Sequence, residues 1–207
     1  MSGLRLGLSV VSAFALSSGT ARAEPHAYTI DPTASRIVVH VGKTGLFGFA
    51  GHEHEVVAPL NRGALVVDPD HVEASAADLE LDARSLVVTG RGEPRKDLAK
   101  VQETMVGPDC LDAGHFPEIR FVSKAISATR PASGGLDVTV SGTLTLHGVS
   151  RVIAVHLLAD LGGDQLVAKG TVTLKQTAFG IKPISVGGVV KVKDEVQIEL
   201  RLIARRR

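Results

Sequence analysis

His52 and His54 are the residues whose types and spacing come nearest to a reactive site. They form an H-x-H step flanked by Glu53 and Glu55. On a strand, residues two apart share a face, so both imidazoles would point the same way. Two ring nitrogens on one face are half of a zinc or copper coordination shell. A third and fourth ligand would have to come from elsewhere, with His147 and His40 as candidates. The competing reading is local hydrogen bonding at a rim, because two ligands fall well short of a complete shell. Catalytic constellations are otherwise lacking: the sequence has no G-x-S-x-G elbow, no H-E-x-x-H, no P-loop and no arguable Cys–His arrangement. The expectation is therefore that the chain is not an enzyme.

The elements that must position these residues are strands. Period-two alternation runs through residues 194–204, where Val196, Ile198, Leu200 and Leu202 oppose Glu195, Gln197, Glu199 and Arg201. It recurs in 136–146, 77–83 and 166–175, and less cleanly in 35–43, 62–69, 118–127 and 151–161. Turn-forming clusters such as Asp68-Pro69-Asp70, His147-Gly148 and Gly162-Gly163-Asp164 separate them. About eight strands with short connections favour antiparallel pairing. One segment differs: from Glu93 to Val106, Leu98, Val101 and Met105 recur at helical spacing, and Gly107-Pro108 ends the run. That predicts one short amphipathic helix. Alternation alone leaves sandwich and barrel open.

The N-terminus reads as a targeting segment. Arg5 precedes an apolar run from Leu6 to Leu16, and Ala21-Arg22-Ala23 follows as an A-x-A cleavage site. The run is short of the roughly 20 residues that span a bilayer. Residues 1–23 are expected to be a signal peptide and 24–207 a single domain, periplasmic or secreted, with no stable membrane insertion after cleavage. Removing the segment takes away Arg5 and Arg22 and turns a formal +1 into −1. A near-neutral surface gives no ground for nucleic-acid binding. Arg205, Arg206 and Arg207 read as a solvated tip. The single Cys110 excludes an internal disulfide, although a homodimer stays open.

Four stretches in order carry a family resemblance. Tyr28-Thr29-Ile30-Asp31-Pro32 with Ser35 resembles the opening strand of YceI-like proteins, and Arg95-Lys96-Asp97 matches their basic-acidic pair before the helix. His115-Phe116-Pro117-Glu118-Ile119-Arg120-Phe121 resembles their internal motif, and Gly142-Thr143-Leu144-Thr145-Leu146-His147-Gly148 their hairpin. The order holds from Tyr28 to about Ala204. The stretch around Gly51–Glu55 departs from the family's serine- and glycine-rich turn, and the helix runs further, through Gln102-Glu103-Thr104-Met105, which marks a divergent branch.

The resemblance implies an all-β, eight-stranded antiparallel, lipocalin-like barrel with one helix at its side. It also implies a long isoprenoid, quinone tail or similar lipid held inside, with no required cofactor and no metal. Phe47, Phe49, Phe121 and Phe179 would then line the interior with Leu144, Leu146 and Val172, and His147 would meet the ligand's polar head. The alternatives are simple core filling by the phenylalanines and a turn-fixing role for His147. Asp31, Arg95, Asp97 and Arg120 could form a rim ion network, with surface pairing as the default. Two other functions stay in view: metal binding through His52 and His54, and a stress-related interaction module without a lipid role.

Overall fold

The computed structural model describes residues 24–44, 54–91, 94–132, 134–186 and 190–207. Among them the alternating runs become β1 (His26–Ile30), β2 (Arg36–Thr44), β3 (His54–Val57), β4 (Leu60–Val67), β5 (Ala76–Asp82), β6 (Val87–Val88) and β7 (Glu118–Thr129). After these come β8 (Leu136–Leu146), β9 (Val149–Gly162), β10 (Gln165–Lys175), β11 (Ser185–Val186) and β12 (Val190–Arg206), and helix α1 (Leu98–Val106) lies between β6 and β7.

Pairing runs β1-β4-β5-β7-β8-β9-β10-β12, antiparallel throughout, and β12 returns to β1 at Ala204–Ile30 and Arg206–Tyr28. Earlier along its length the same edge of β12 pairs with β2. β1 and β2 therefore act as one strand broken by a turn. The Asp31 carboxylate makes that turn by accepting from the Thr33 and Ala34 amides at 3.0 and 3.1 Å and from the Thr33 hydroxyl at 2.7 Å. β3 and β4 are likewise one strand broken at Ala58-Pro59, where proline supplies no ladder donor. β5 and β6 are interrupted by a 3₁₀ turn at Ala83–Ser85, capped by the Asp82 side chain. The result is a closed eight-stranded antiparallel barrel with one helix, as expected.

α1 starts later than the helical spacing predicts. The Asp97 amide bonds to the Pro94 carbonyl at 2.9 Å, so Arg95–Asp97 is spent on a turn and the helix opens at Leu98. Its end agrees with Gly107-Pro108. Beyond that, the Leu111 and Ala113 amides fold back onto the carbonyls of Met105 and Val106, pairing last-turn acceptors that the helix leaves open. The β8–β9 hairpin turns on His147 and Gly148, at φ +52° and +70°, the two-residue geometry that matches strand twist.

Buried apolar residues gather in three places. Tyr28, Ile30, Leu60 and Ala204 pack where β1, β4 and β12 meet. Phe179 and Ile181, 1% and 3% exposed, pack with Leu174 and Val196. Leu136, Val138 and Val140 form the third group. Between these groups the barrel is hollow.

Candidate functional site

A cavity of about 930 Å³ occupies the barrel interior. That is near the upper end of the roughly 300–1,000 Å³ common for small-molecule sites. Inward positions of the period-two pattern build its wall, among them Val39 on β2, Leu79 on β5, Val140 on β8, Leu157 on β9 and Ile198 on β12. Val39, Leu157, Ile198 and Leu200 remain only half-buried although they face inward. In a close-packed interior such residues would be fully covered by neighbours. Their residual exposure is exposure to the lumen.

The polar lining is sparse, and much of it marks where the cavity meets solvent. Asp97 and Lys100 of the α1 region and Lys175 at the end of β10 line the cavity and are themselves exposed. α1 forms part of the wall through Val101, Thr104 and Met105. Gln102 secures the helix to β6: its side-chain amide donates to the Leu86 carbonyl and its oxygen accepts from the Val88 amide, both at 2.8 Å. The helix thus occupies the edge that a further strand would take. Cys110 also lines the cavity, and burial pushes its thiol pKa up, keeping it a neutral, weakly polar wall group.

Of the residues singled out from sequence, Phe121, Leu144, Leu146, Val172 and Phe179 all line the cavity. Phe47, Phe49 and His52 lie outside the described residues. His147 is not part of the lining; its Nδ1 bonds to the Phe179 carbonyl at 3.1 Å, tying the hairpin to the 3₁₀ turn at Gln176–Phe179. His54 faces the cavity, in register with Val41. His40 pairs with Glu55 on the opposite face and approaches Glu199 at 3.6 Å. The suggested ligand set of His54 with His40 therefore falls on two sides of the wall. Among the described residues no three His, Cys, Asp or Glu side chains group as a metal site would require.

Glu55 is 8% exposed and is flanked by Arg91 at 3.2 Å and Arg36 at 3.6 Å. The four-membered rim network is replaced by separate pairings. Arg120 donates to Asp78 through two nitrogens, at 3.1 and 2.8 Å, and holds that carboxyl below its ordinary value. Asp31 serves its own turn, and Arg95 and Asp97 are exposed ahead of α1. The sequence reading missed the helix residues, Cys110 and the alanines Ala58, Ala77, Ala159 and Ala168 as parts of the wall. Alanine recurring at inward positions of alternating strands was the available signal, since a small inward residue leaves space.

A protein-family model described as YceI-like domain matches residues 28–204. A UPF0312 protein of Pseudomonas savastanoi pv. phaseolicola is 33% identical over 126 residues, which span 58% of this chain and 59% of that relative. A UPF0312 protein of Pseudomonas fluorescens is 31% identical over 119 residues, 54% of this chain and 57% of its own length. The chain thus matches somewhat over half the length of these curated relatives. Among solved structures, BcnA of Burkholderia cenocepacia superposes with a TM-score of 0.62 at 22% identity, covering 84% of this chain and 98% of its own. A polyisoprenoid binding domain from Saccharophagus degradans, implicated in plant cell wall breakdown, gives 0.60 at 15%, covering 88% and 99%. At these identities the likeness is one of fold.

Proposed function

The chain belongs to the YceI-like domain family, and from that premise we propose that it is an exported binding protein holding a long apolar molecule inside its barrel. The observation that carries this reading is the hollow, apolar lumen of about 930 Å³. An apolar chain moved from water into such a space gains roughly 0.8 kcal/mol per buried CH₂, so a long tail binds well with few polar contacts. The wall offers little else: methyl and methylene groups from all sides, with Asp97, Lys100 and Lys175 where the cavity opens. An isoprenoid or quinone-like tail has the matching chemistry, and the Saccharophagus degradans domain of similar fold is described as polyisoprenoid-binding. A polar head would stay at the opening beside the charged residues. Residues 1–23 serve in this reading as an export signal, removed to leave a periplasmic or secreted carrier. Neither catalysis nor a metal is needed.

The test is solvent extraction of protein purified from its own host, followed by mass spectrometry of the extract and of the native protein. Near-stoichiometric recovery of one class of long-chain apolar molecule is expected. A barrel that is repeatedly empty and water-filled rejects carriage.

A further inference from the structure

The outer wall of the barrel carries a row of cations that the lumen does not explain. On adjacent strands β10, β12 and β2, Lys169 stands opposite Arg201, and Arg201 opposite Arg36. Like charges directly opposite one another on a sheet are destabilising, so the row works against the fold unless something outside answers it. Arg36 is partly answered by Glu55 at 3.6 Å. Arg201 reaches only the Ala34 carbonyl, at 3.4 Å. Among the described residues Lys169 and Arg201 take part in no ion pair, while Arg205 is near enough to the Asp31 carboxyl to help lower its pKa. The acids on this face lie diagonal to the row and not opposite it: Asp160 faces Val167, Asp31 lies beside Ile203, Glu199 lies toward His40, and Asp137 is beyond Leu158.

Arg205, on the face of Arg201, extends the same wall, while Arg206 stands opposite the buried Tyr28. Arg205 pairs with Gln165 and Thr29 in the ladder, and the Arg206 and Arg207 amides bond to the Asp164 and Ala27 carbonyls at 2.8 and 2.9 Å. Their backbone is held against the barrel while all three side chains are exposed, so the tip is solvated but anchored. Next to Lys169 stands Leu158, 66% exposed. A shallow groove runs along this row, past Val38 and Gly170.

We propose that this wall docks the barrel onto the surface of an anionic phospholipid bilayer. Carried on three adjacent strands spaced about 4.8 Å apart, the cations form a row that can meet several phosphates at once, and the projecting leucine can enter the headgroup layer. Among the described residues lining the groove there is no Phe, Tyr or Trp on which nucleic-acid bases could stack, and the His156 ring is bonded to the Thr139 hydroxyl. The proposal rests on the carrier reading, since a molecule that loads an apolar chain must meet the membrane where such chains dissolve.

The experiment is co-sedimentation of protein purified from its host with vesicles of phosphatidylcholine alone or mixed with phosphatidylglycerol, at low and high salt. Lys169→Ala/Arg201→Ala/Arg205→Ala is compared with a charge-matched control, Lys124→Ala/Arg130→Ala/Arg151→Ala. Uptake of the fluorescent polyene cis-parinaric acid is read on the same samples. We expect binding to phosphatidylglycerol vesicles only, steep loss with salt, and roughly a hundredfold loss in the first variant, about fivefold for each cation removed from an anionic surface. The control should keep its binding. Wild-type protein that ignores these vesicles, binds phosphatidylcholine equally, or loses as much in the control overturns the proposal. The salt series on wild type decides the matter even if the triple variant misfolds. Polyene uptake without docking rejects docking alone, and docking without uptake rejects carriage alone.

Discussion

At Gly170, β9 comes close to β10: a β-carbon there would clash with the His156 carbonyl oxygen, a backbone atom that cannot rotate away. Gly142 meets Phe121 Cζ and the Val122 carbonyl in the same manner, both at 2.5 Å. Forcing atoms into such a contact costs about 1–3 kcal/mol or more. Gly170→Ala should therefore lower the urea midpoint by a corresponding amount, and an unchanged midpoint would refute the close approach. Asp78 makes a second prediction. The Arg120 hydrogen bond depresses its pKa below the ordinary 3.8, so the folded state favours the ionised form more than the unfolded chain does. That contribution is fully present above the unfolded pKa and is lost as pH falls below about 3.8 through the folded pKa. Asp78→Asn should flatten this acid limb of the stability–pH curve while leaving its slope near neutrality alone. The pair is partly exposed, so the effect is modest. His147 shows why individual sites are harder to read from sequence than faces are. Its type suited a ligand's head or a turn-fixing bond; the structure shows the second, through a Phe179 carbonyl 32 positions away that no local pattern announces.

At the scale of elements, α1 is tied to the neighbouring strand through one side chain, Gln102. None of its residues is fully buried, and Gln102 supplies its hydrogen bonds to β6. Gln102→Leu would leave the Leu86 carbonyl and Val88 amide without their partner, at about 0.5–1.5 kcal/mol per bond lost. We expect faster amide exchange at Val88 and faster release of bound polyene, with modest loss of global stability; unchanged release kinetics would show that α1 does not gate the lumen. Elements were legible where one rule governs a whole run. β8, β10 and the middle of β12 from Val196 to Leu202 alternate without a break, and their inward residues were read directly from period two. β7 reads less cleanly because its register shifts between Ser123 and Ala125, so Ile119 and Phe121 line the cavity and the inward face resumes at Ile126. The breaks at Asp31–Ser35 and Ala58-Pro59 obscure in the same way that four short strands serve as two. Closure through β12 joins residues at opposite ends of the chain, and periodicity carries no information about such pairing.

For the whole molecule, the hollow interior sets the thermodynamics. A barrel whose inward Leu157 and Ile198 are only half-buried forgoes part of the apolar burial that a filled core would provide. A ligand restores it, and because the unfolded chain has no lumen, binding favours the native state alone. Stripping the apolar occupant should therefore lower Tm, and adding it back should raise stability by about 2.7 kcal/mol at a hundredfold excess over Kd. Binding should also show a negative heat-capacity change, as apolar surface leaves water. Val172→Trp separates this from a nonspecific effect of lipid. Val172 lines the cavity and is half-buried, so an indole can enter the vacant space instead of displacing packed neighbours. The variant should match or exceed the stripped wild type in Tm, yet take up polyene at least tenfold more weakly and show almost no ligand-dependent shift. If Val172→Trp is instead strongly destabilised, the space beside it is already filled by the protein's own side chains. If it binds as well as wild type, the ligand sits elsewhere. Either result would count against the lumen as the binding site, because both the Tm shift and its loss follow from one volume that cannot hold the indole and the ligand together.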